Sequence, residues 1–413
     1  MSRILAVSYY HAPAPGIGGS RWAAMARHLS ALGHEVTLVA SDAWGVLPDD
    51  DAQRVVRTRD LRSWPPLRRL LRRGELPKAG GAGVELPPGA LLTKVVVPDA
   101  LALTWLPAAA WTVRRLLERE PYDCLVTSAP PESAHLIGLL LGRRRPAWIA
   151  DFRDGWSFER LRDRFPTAPQ RALDGALERR IVRAAEVTVA ATRPIAEDFE
   201  RRLGIESSWV PNGWDGALAA PSREEALARP EVRLVHTGTL TGGSGRDPLP
   251  FLEALARVAA EPGGRAFRLV HAGRLTPEED ALLARAGETV ERHGLVDREA
   301  ALALQRSADA LVLLTSRNRS EATGKLFEYL ASGRPILALA EGNEAARIVA
   351  ETNTGRTVPP DDVDAIAAAL RAVAAGELQR DYAPRGLERY TYPAPAEAMA
   401  ALVEEAIRRG PGR

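Results

Sequence analysis

Short apolar runs punctuate this chain, separated by longer stretches in which apolar residues recur every three or four positions. Runs starting at Arg3, Glu35, Tyr122, Ala147 and Val187 read as buried strands in the first half, and runs starting at Val232, Arg268, Ala310 and Pro335 in the second. Helical periodicity predicts helices at about 21–32 (closed by Gly33), up to Leu117, at 171–186, 323–331 and 363–373, and at 394–408. Strand, polar loop, helix and strand in succession make βαβ units, whose ligands bind at the loops leaving the strands' carboxyl ends. The expectation is an α/β chain of two Rossmann-like domains. The first spans 1–208, with a final helix in 394–413 packing back onto it. A linker covers 209–230, where Asn212-Gly213 favours a sharp reversal, and the second domain spans 231–393.

Residues 42–100 are the least regular part, rich in Pro, Gly and Arg. Within them, 61–73 interleaves arginines with a Trp and several leucines and carries no acid. It reads either as a solvated helical insertion or as a peripheral contact with an anionic membrane surface. The 413 residues suffice for two cores, and a net charge of +2 does not suggest nucleic-acid binding. The lone Cys124 excludes an internal disulfide framework, and no apolar run is long enough to cross a bilayer. With an apolar strand at the very start in place of a leader peptide, a cytoplasmic location is expected, with the inner face of the membrane as the variant that 61–73 raises.

Charge narrows the chemistry. Only three lysines occur (Lys78, Lys94 and Lys325), all other basic side chains being Arg, and Lys325 falls at a helix start, where anions bind. Glu328 shares its helix face, so the bland alternative is a solvated surface pair. Asp151, Arg153 and Asp154 crowd one strand end, either as a site or as a structural Asp–Arg pair. His135 reads as a packed histidine. Gly16-Ile-Gly-Gly follows the first strand, where glycines let backbone amides approach an anion or simply permit a tight turn.

From Lys325 onward, Lys-Leu-Phe-Glu-Tyr-Leu-Ala-Ser-Gly-Arg-Pro-Ile resembles the donor-binding signature of the retaining family 4 glycosyltransferases of GT-B fold. Thr127–Gly138 and Trp148–Trp156 resemble a bacterial subgroup of that family. The resemblance implies two domains facing across a cleft, with the last helix crossing back, and sugar transfer from a UDP-, dTDP- or GDP-sugar. The acceptor would be a sugar, a lipid-linked precursor or a natural product, with no metal and no other cofactor. It implies that Lys325 and Arg246 meet the donor diphosphate and that Glu328 holds the ribose. Gly18, Gly19, Gly238, Thr239, Gly243, Thr323, Gly324 and Leu326 line the donor, while Arg274, His293 and Leu295 rim the nucleobase. Asp151, Arg153 and Asp154 stand at the sugar, and His11 and Arg21 on the acceptor side. The family's first Glu falls on Ser320: either Glu321, one residue later, does that work, or the sugar is met differently. A sugar-nucleotide epimerase or hydrolase and a non-catalytic GT-B subunit are the alternatives.

Overall fold

The computed structural model describes residues 1–14, 16–45, 54–63, 91–159, 164–220, 230–241 and 245–411, the side chains at 16, 17 and 91 excepted. The chain divides into two compact units, Met1–Asn212 with Tyr392–Arg413, and Gly213–Thr391.

The first unit is built on β1 (Arg3–Ser8), β2 (Glu35–Ser41), β3 (Arg54–Thr58), β4 (Cys124–Ala129), β5 (Ala147–Phe152), β6 (Val187–Ala190) and β7 (Ser208–Trp209), in the order β3-β2-β1-β4-β5-β6-β7. Every pairing is parallel, and β1, β4 and β5 are buried almost throughout, which is why they read as continuous apolar runs. Helices cover the sheet: α1 (Gly16–Ala31), α2 (Leu106–Arg119), α3 (Leu136–Leu141), α4 (Ala168–Ala184), α5 (Arg193–Leu203) and a final helix, Ala394–Arg409. That last helix lies against α1, and its Met399, Val403 and Ala406 join Ile4, Ala6, Val126 and Val189 in one core. The opposite face packs Trp105, Ile137, Trp148 and Phe199.

Three local differences from expectation have physical causes. Helix α1 starts at Gly16 rather than near Arg21, so Gly18 and Gly19 sit in its first turn. A Cβ at Gly19 would lie 2.0 Å from the Ala14 carbonyl oxygen, so these glycines allow the incoming chain to press against the helix. Helix α4 begins three residues early because Thr167 and Gln170 form a capping box. Strand β3 lies in the stretch read as irregular: flanked by Arg54 and Arg57 and only half-buried at this sheet edge, it lacks an apolar run. Of the basic segment 61–73, Arg62 is buried and pairs with Asp60 at 2.9 Å, so it faces inward, and 64–73 lie outside the described residues. Among the described residues no helix is long and apolar enough to cross a membrane.

The second unit carries β8 (Glu231–Thr237), β9 (Ala266–Ala272), β10 (Val290–Gly294), β11 (Ala310–Leu314), β12 (Ile336–Leu339) and β13 (Gly355–Val358), in the order β10-β9-β8-β11-β12-β13, again all parallel. In both sheets the strand order reverses beside the first strand, between β1 and β4 and between β8 and β11. Ligand crevices open at the carboxyl ends of such strands.

Gly138 on α3 packs face-on to Trp148, and a Cβ there would lie 2.3 Å from the indole. Gly138→Ala should therefore cost about 1–3 kcal/mol of stability through overpacking, read as a lower urea midpoint; an unchanged midpoint would refute this packing.

Candidate active site

The loops leaving β8 and β11 bring a set of charged groups to the crevice of the second unit. Helix α6 (Leu249–Ala259) follows the first loop and α7 (Pro277–Ala284) follows β9; α8 (Arg298–Arg306) precedes β11, and α9 (Gly324–Ala331) follows it. Thr323 is the N-cap residue of α9, and its hydroxyl is buried with no hydrogen-bond partner. Tyr329, a turn and a half along α9, ties the helix to β8 by accepting a hydrogen bond from the Thr237 amide at 2.9 Å.

Lys325 sits in the first turn of α9, and its ammonium donates to the Thr239 carbonyl at 2.6 Å. Its second partner is His236 Nε2 at 3.3 Å. The other nitrogen, Nδ1, lies 2.9 Å from the Val312 carbonyl and carries the N–H there, and burial beside Lys325 disfavours a second proton, so Nε2 keeps its lone pair. Nε2 and the Thr239 oxygen are 3.1 Å apart, two acceptors that would repel without the ammonium between them. His271 stacks on His236, ring centroids 5.8 Å apart, and anchors the Gly238 carbonyl at 2.9 Å. Gly238 itself has φ +91°, and a Cβ there would lie 2.6 Å from Lys325 Cε. A side chain at this position would push the lysine out.

Burial, with Arg246 nearby, lowers the Lys325 pKa to about 7, while Glu321, Glu328 and Glu279 oppose the shift. Burial and the lysine together hold His236 well below the usual histidine range. Arg246 is clamped in turn: Nε and NH2 donate to Glu321 Oε1 at 2.9 and 2.7 Å. The other carboxylate oxygen of Glu321 takes the Ser316 amide at 2.6 Å and the Ser316 hydroxyl. Glu328 accepts from Gln305 Nε2 at 3.3 Å and lines a cavity of about 260 Å³ with Trp214, Leu302 and Gln305.

In the first unit, Arg21 and Asp151 are paired at 2.9 Å with both side chains fully buried. Ser128 and Trp22 donate to the same carboxylate at 2.8 and 3.0 Å, and Arg21 also bonds the carbonyls of Val210 and Pro211. Burial alone would raise the Asp151 carboxyl, but Arg21 beside it holds it below the ordinary range. Arg153 and Asp154 follow at the end of β5, where burial pushes the Asp154 carboxyl up.

The sequence from 18 to 213 matches the glycosyl transferase 4-like domain, and 231 to 375 matches the glycosyl transferases group 1 domain. The chain belongs to this glycosyltransferase family. Solved structures agree on the fold, two parallel-sheet Rossmann-like domains of GT-B type. Sucrose-phosphate synthase from Thermosynechococcus elongatus superposes with a TM-score of 0.66 at 19% identity, covering 99% of this chain and 100% of the other. WaaG, a glycosyltransferase involved in lipopolysaccharide biosynthesis, gives 0.58 at 16%, covering 98% of each. The S. aureus MnaA–UDP co-structure gives 0.55 at 11%, covering 99% and 98%. No curated protein matches the sequence.

In the glycosyltransferase, Lys325, Arg246, Glu321, Thr239, Gly238, Thr323 and Gly324 come together around the crevice of the second unit. Leu326 is a correction: its side chain is fully buried in the core and its amide is spent on the Thr323 carbonyl at 3.0 Å. Arg21 and Asp151 are also corrected, because complete burial and mutual pairing leave neither any face for a substrate. His11 is buried too, against the Arg57 guanidinium at 3.2 Å. His135 is a packed ring, bonded to Thr127 at 2.7 Å, with its pKa pushed by burial down to about 3. Arg274 and Leu295 are exposed, and His293 bonds Glu291 at 2.5 Å. Gly243 lies outside the described residues. Among the described residues no cluster of three His, Cys, Asp or Glu side chains is placed to hold a metal.

Sequence reading missed His236, His271, Gln305 and Ser316. A signal for the histidines existed: Arg233-Leu-Val-His and Arg268-Leu-Val-His repeat, and His236 pairs with His271 in the β8–β9 register.

Two outcomes follow from these geometries. Asp151→Ala strands a buried guanidinium and should cost about 3–5 kcal/mol, losing activity only through unfolding; a stable, inactive variant would contradict a purely structural pair. For Lys325, the folded pKa lies below the unfolded one, so the unfolded chain holds more protons above pH 7. Stability of the unliganded protein should thus rise with pH from 7 toward 10. Lys325→Met should be more stable than wild type at pH 6–7, the advantage shrinking by pH 9 in chemical denaturation.

Proposed function

We propose that this glycosyltransferase moves a sugar from a nucleoside-diphosphate sugar to an acceptor hydroxyl or amine, with retention and without a metal. The observation that carries this reading is Lys325: a half-buried ammonium at a helix start, with two of its three donors fixed and the third unused by the described residues. Such a group suits an anion that arrives to complete it, and a diphosphate is the anion that glycosyl donors carry. Arg246 brings a second positive charge, oriented by Glu321.

In the proposed reaction the bond between the anomeric carbon and the phosphate oxygen breaks, and its electron pair leaves with the nucleoside diphosphate. Lys325, Arg246 and the amides opening α9 neutralise the charge that builds on that group. The acceptor oxygen or nitrogen bonds to the anomeric carbon, and its proton passes to the departing phosphate. Glu328 takes the ribose hydroxyls, as the family likeness implies, with Gln305 Nε2 orienting its carboxylate. The MnaA relative was solved with UDP, which supports a diphosphonucleotide in this fold. The setting proposed is cytoplasmic synthesis of a polysaccharide, glycoconjugate or natural-product glycoside.

Thermal unfolding with UDP, dTDP and GDP tests the reading, because a ligand bound only by the native state raises its melting point. One nucleotide should stabilise wild type, in EDTA as well as without it. Lys325→Ala and Arg246→Ala should each weaken its binding at least about tenfold, roughly 1.4 kcal/mol, while leaving the protein folded. Unchanged shifts in both variants would reject the diphosphate assignment.

A further inference from the structure

A second buried cation, in the first unit, forms no ion pair among the described residues. Arg153 is only 6% exposed. Its Nε donates to the Ala129 carbonyl at 3.2 Å, NH2 donates to the Pro130 carbonyl, and the guanidinium lies 5.7 Å from the centre of the Tyr10 ring. These are dipoles and a ring face, and none carries a negative charge. Asp151 is paired with Arg21, and Asp154, adjacent in sequence, attracts the guanidinium only through space, its own carboxyl pushed up by burial. Burial accordingly depresses the Arg153 pKa, against the pull of Asp154 and Asp151.

Gly18 lies close against this guanidinium. A Cβ at Gly18, in the first turn of α1, would stand 3.0 Å from Arg153 NH1. No described residue accepts a hydrogen bond from NH1. A charged fork with one nitrogen that no described residue uses, beside a glycine in a helix's first turn, matches a planar or tetrahedral oxyanion.

We propose that Arg153 and the Gly18 turn of α1 form an oxyanion subsite in the first unit that takes the phosphate or carboxylate of an acidic acceptor. The assignment rests on the reading above, in which the nucleotide's own diphosphate belongs to Lys325 and Arg246. The enzyme would then select acceptors bearing a negative group, such as a sugar phosphate or a uronic acid. A neutral acceptor would leave the Arg153 charge unanswered.

The test uses inorganic phosphate as the probe, with chloride at equal ionic strength as control, and thermal unfolding of the full chain as readout. Phosphate should raise the melting point, and should do so again when UDP, or whichever nucleotide stabilises best, is saturating. Arg153→Gln should lose most of the phosphate shift, and Arg153→Lys should keep part of it. Gly18→Ala leaves the arginine in place but crowds its edge, and should weaken phosphate about tenfold; it decides the matter if Arg153→Gln misfolds. Lys325→Ala should lose the nucleotide shift and retain the phosphate shift. The proposal falls if phosphate adds nothing once nucleotide is bound, or if Arg153→Gln and Gly18→Ala leave the shift intact. Failure of the nucleotide reading would show separately, as no UDP, dTDP or GDP shift in wild type, with the Arg153 comparison still readable.

Discussion

An ammonium held in a half-buried pocket, against a carbonyl and an imidazole lone pair, is the constraint from which the second unit's site follows. Desolvating a charged lysine is unfavourable, and burial, with Arg246 nearby, lowers its pKa to about 7. The surroundings fix the side chain without neutralising it. Gly238 leaves room for its stem, the neutral His236 offers a lone pair rather than a charge, and Arg246 is held by Glu321. The neighbouring carboxylates orient other groups. The lysine is left short of negative charge, a stability defect in the empty protein and, under the proposed function, a preorganised contact in a loaded one.

The first unit shows the opposite arrangement within a few residues. Arg21 and Asp151 close on each other and draw in Trp22, Ser128 and the backbone of Val210 and Pro211. Their charge is balanced, and they fasten α1, β4, β5 and the segment after β7 together. Two residues on, Arg153 is also buried, but its hydrogen bonds go to carbonyls and its guanidinium lies by a ring. Charge at a strand's carboxyl end thus serves cohesion where it is paired, as at Arg21 and Asp151, and under the oxyanion proposal recognition where, as at Arg153, it is not.

That distinction is what the sequence could not disclose. The strands were readable because parallel strands are buried on both sides, and Lys325 was conspicuous in a chain that otherwise uses arginine. Arg21 and Asp151 are 130 positions apart, and no local pattern announces that they meet. Strand β3 escaped because a half-buried edge strand lacks an apolar run. The start of α1 escaped because glycines signal a loop unless the close approach of Ala14 is known. The paired histidines were written plainly in the repeated Arg-Leu-Val-His, yet their meaning depends on which hydrogen-bond partners the neighbouring strand ends provide.

The final helix, Ala394–Arg409, supplies Met399, Val403 and Ala406 to a core whose other members come from the earliest strands. The first unit is therefore interrupted, with the entire second unit spliced between its two contributions. As the polypeptide emerges from a ribosome, one face of the sheet containing Ile4, Val126 and Val189 must wait, incompletely covered, for nearly the whole remaining chain. The second unit is contiguous in sequence and faces no such delay. Assembly order is thereby written into topology: the part synthesised first is the part completed last.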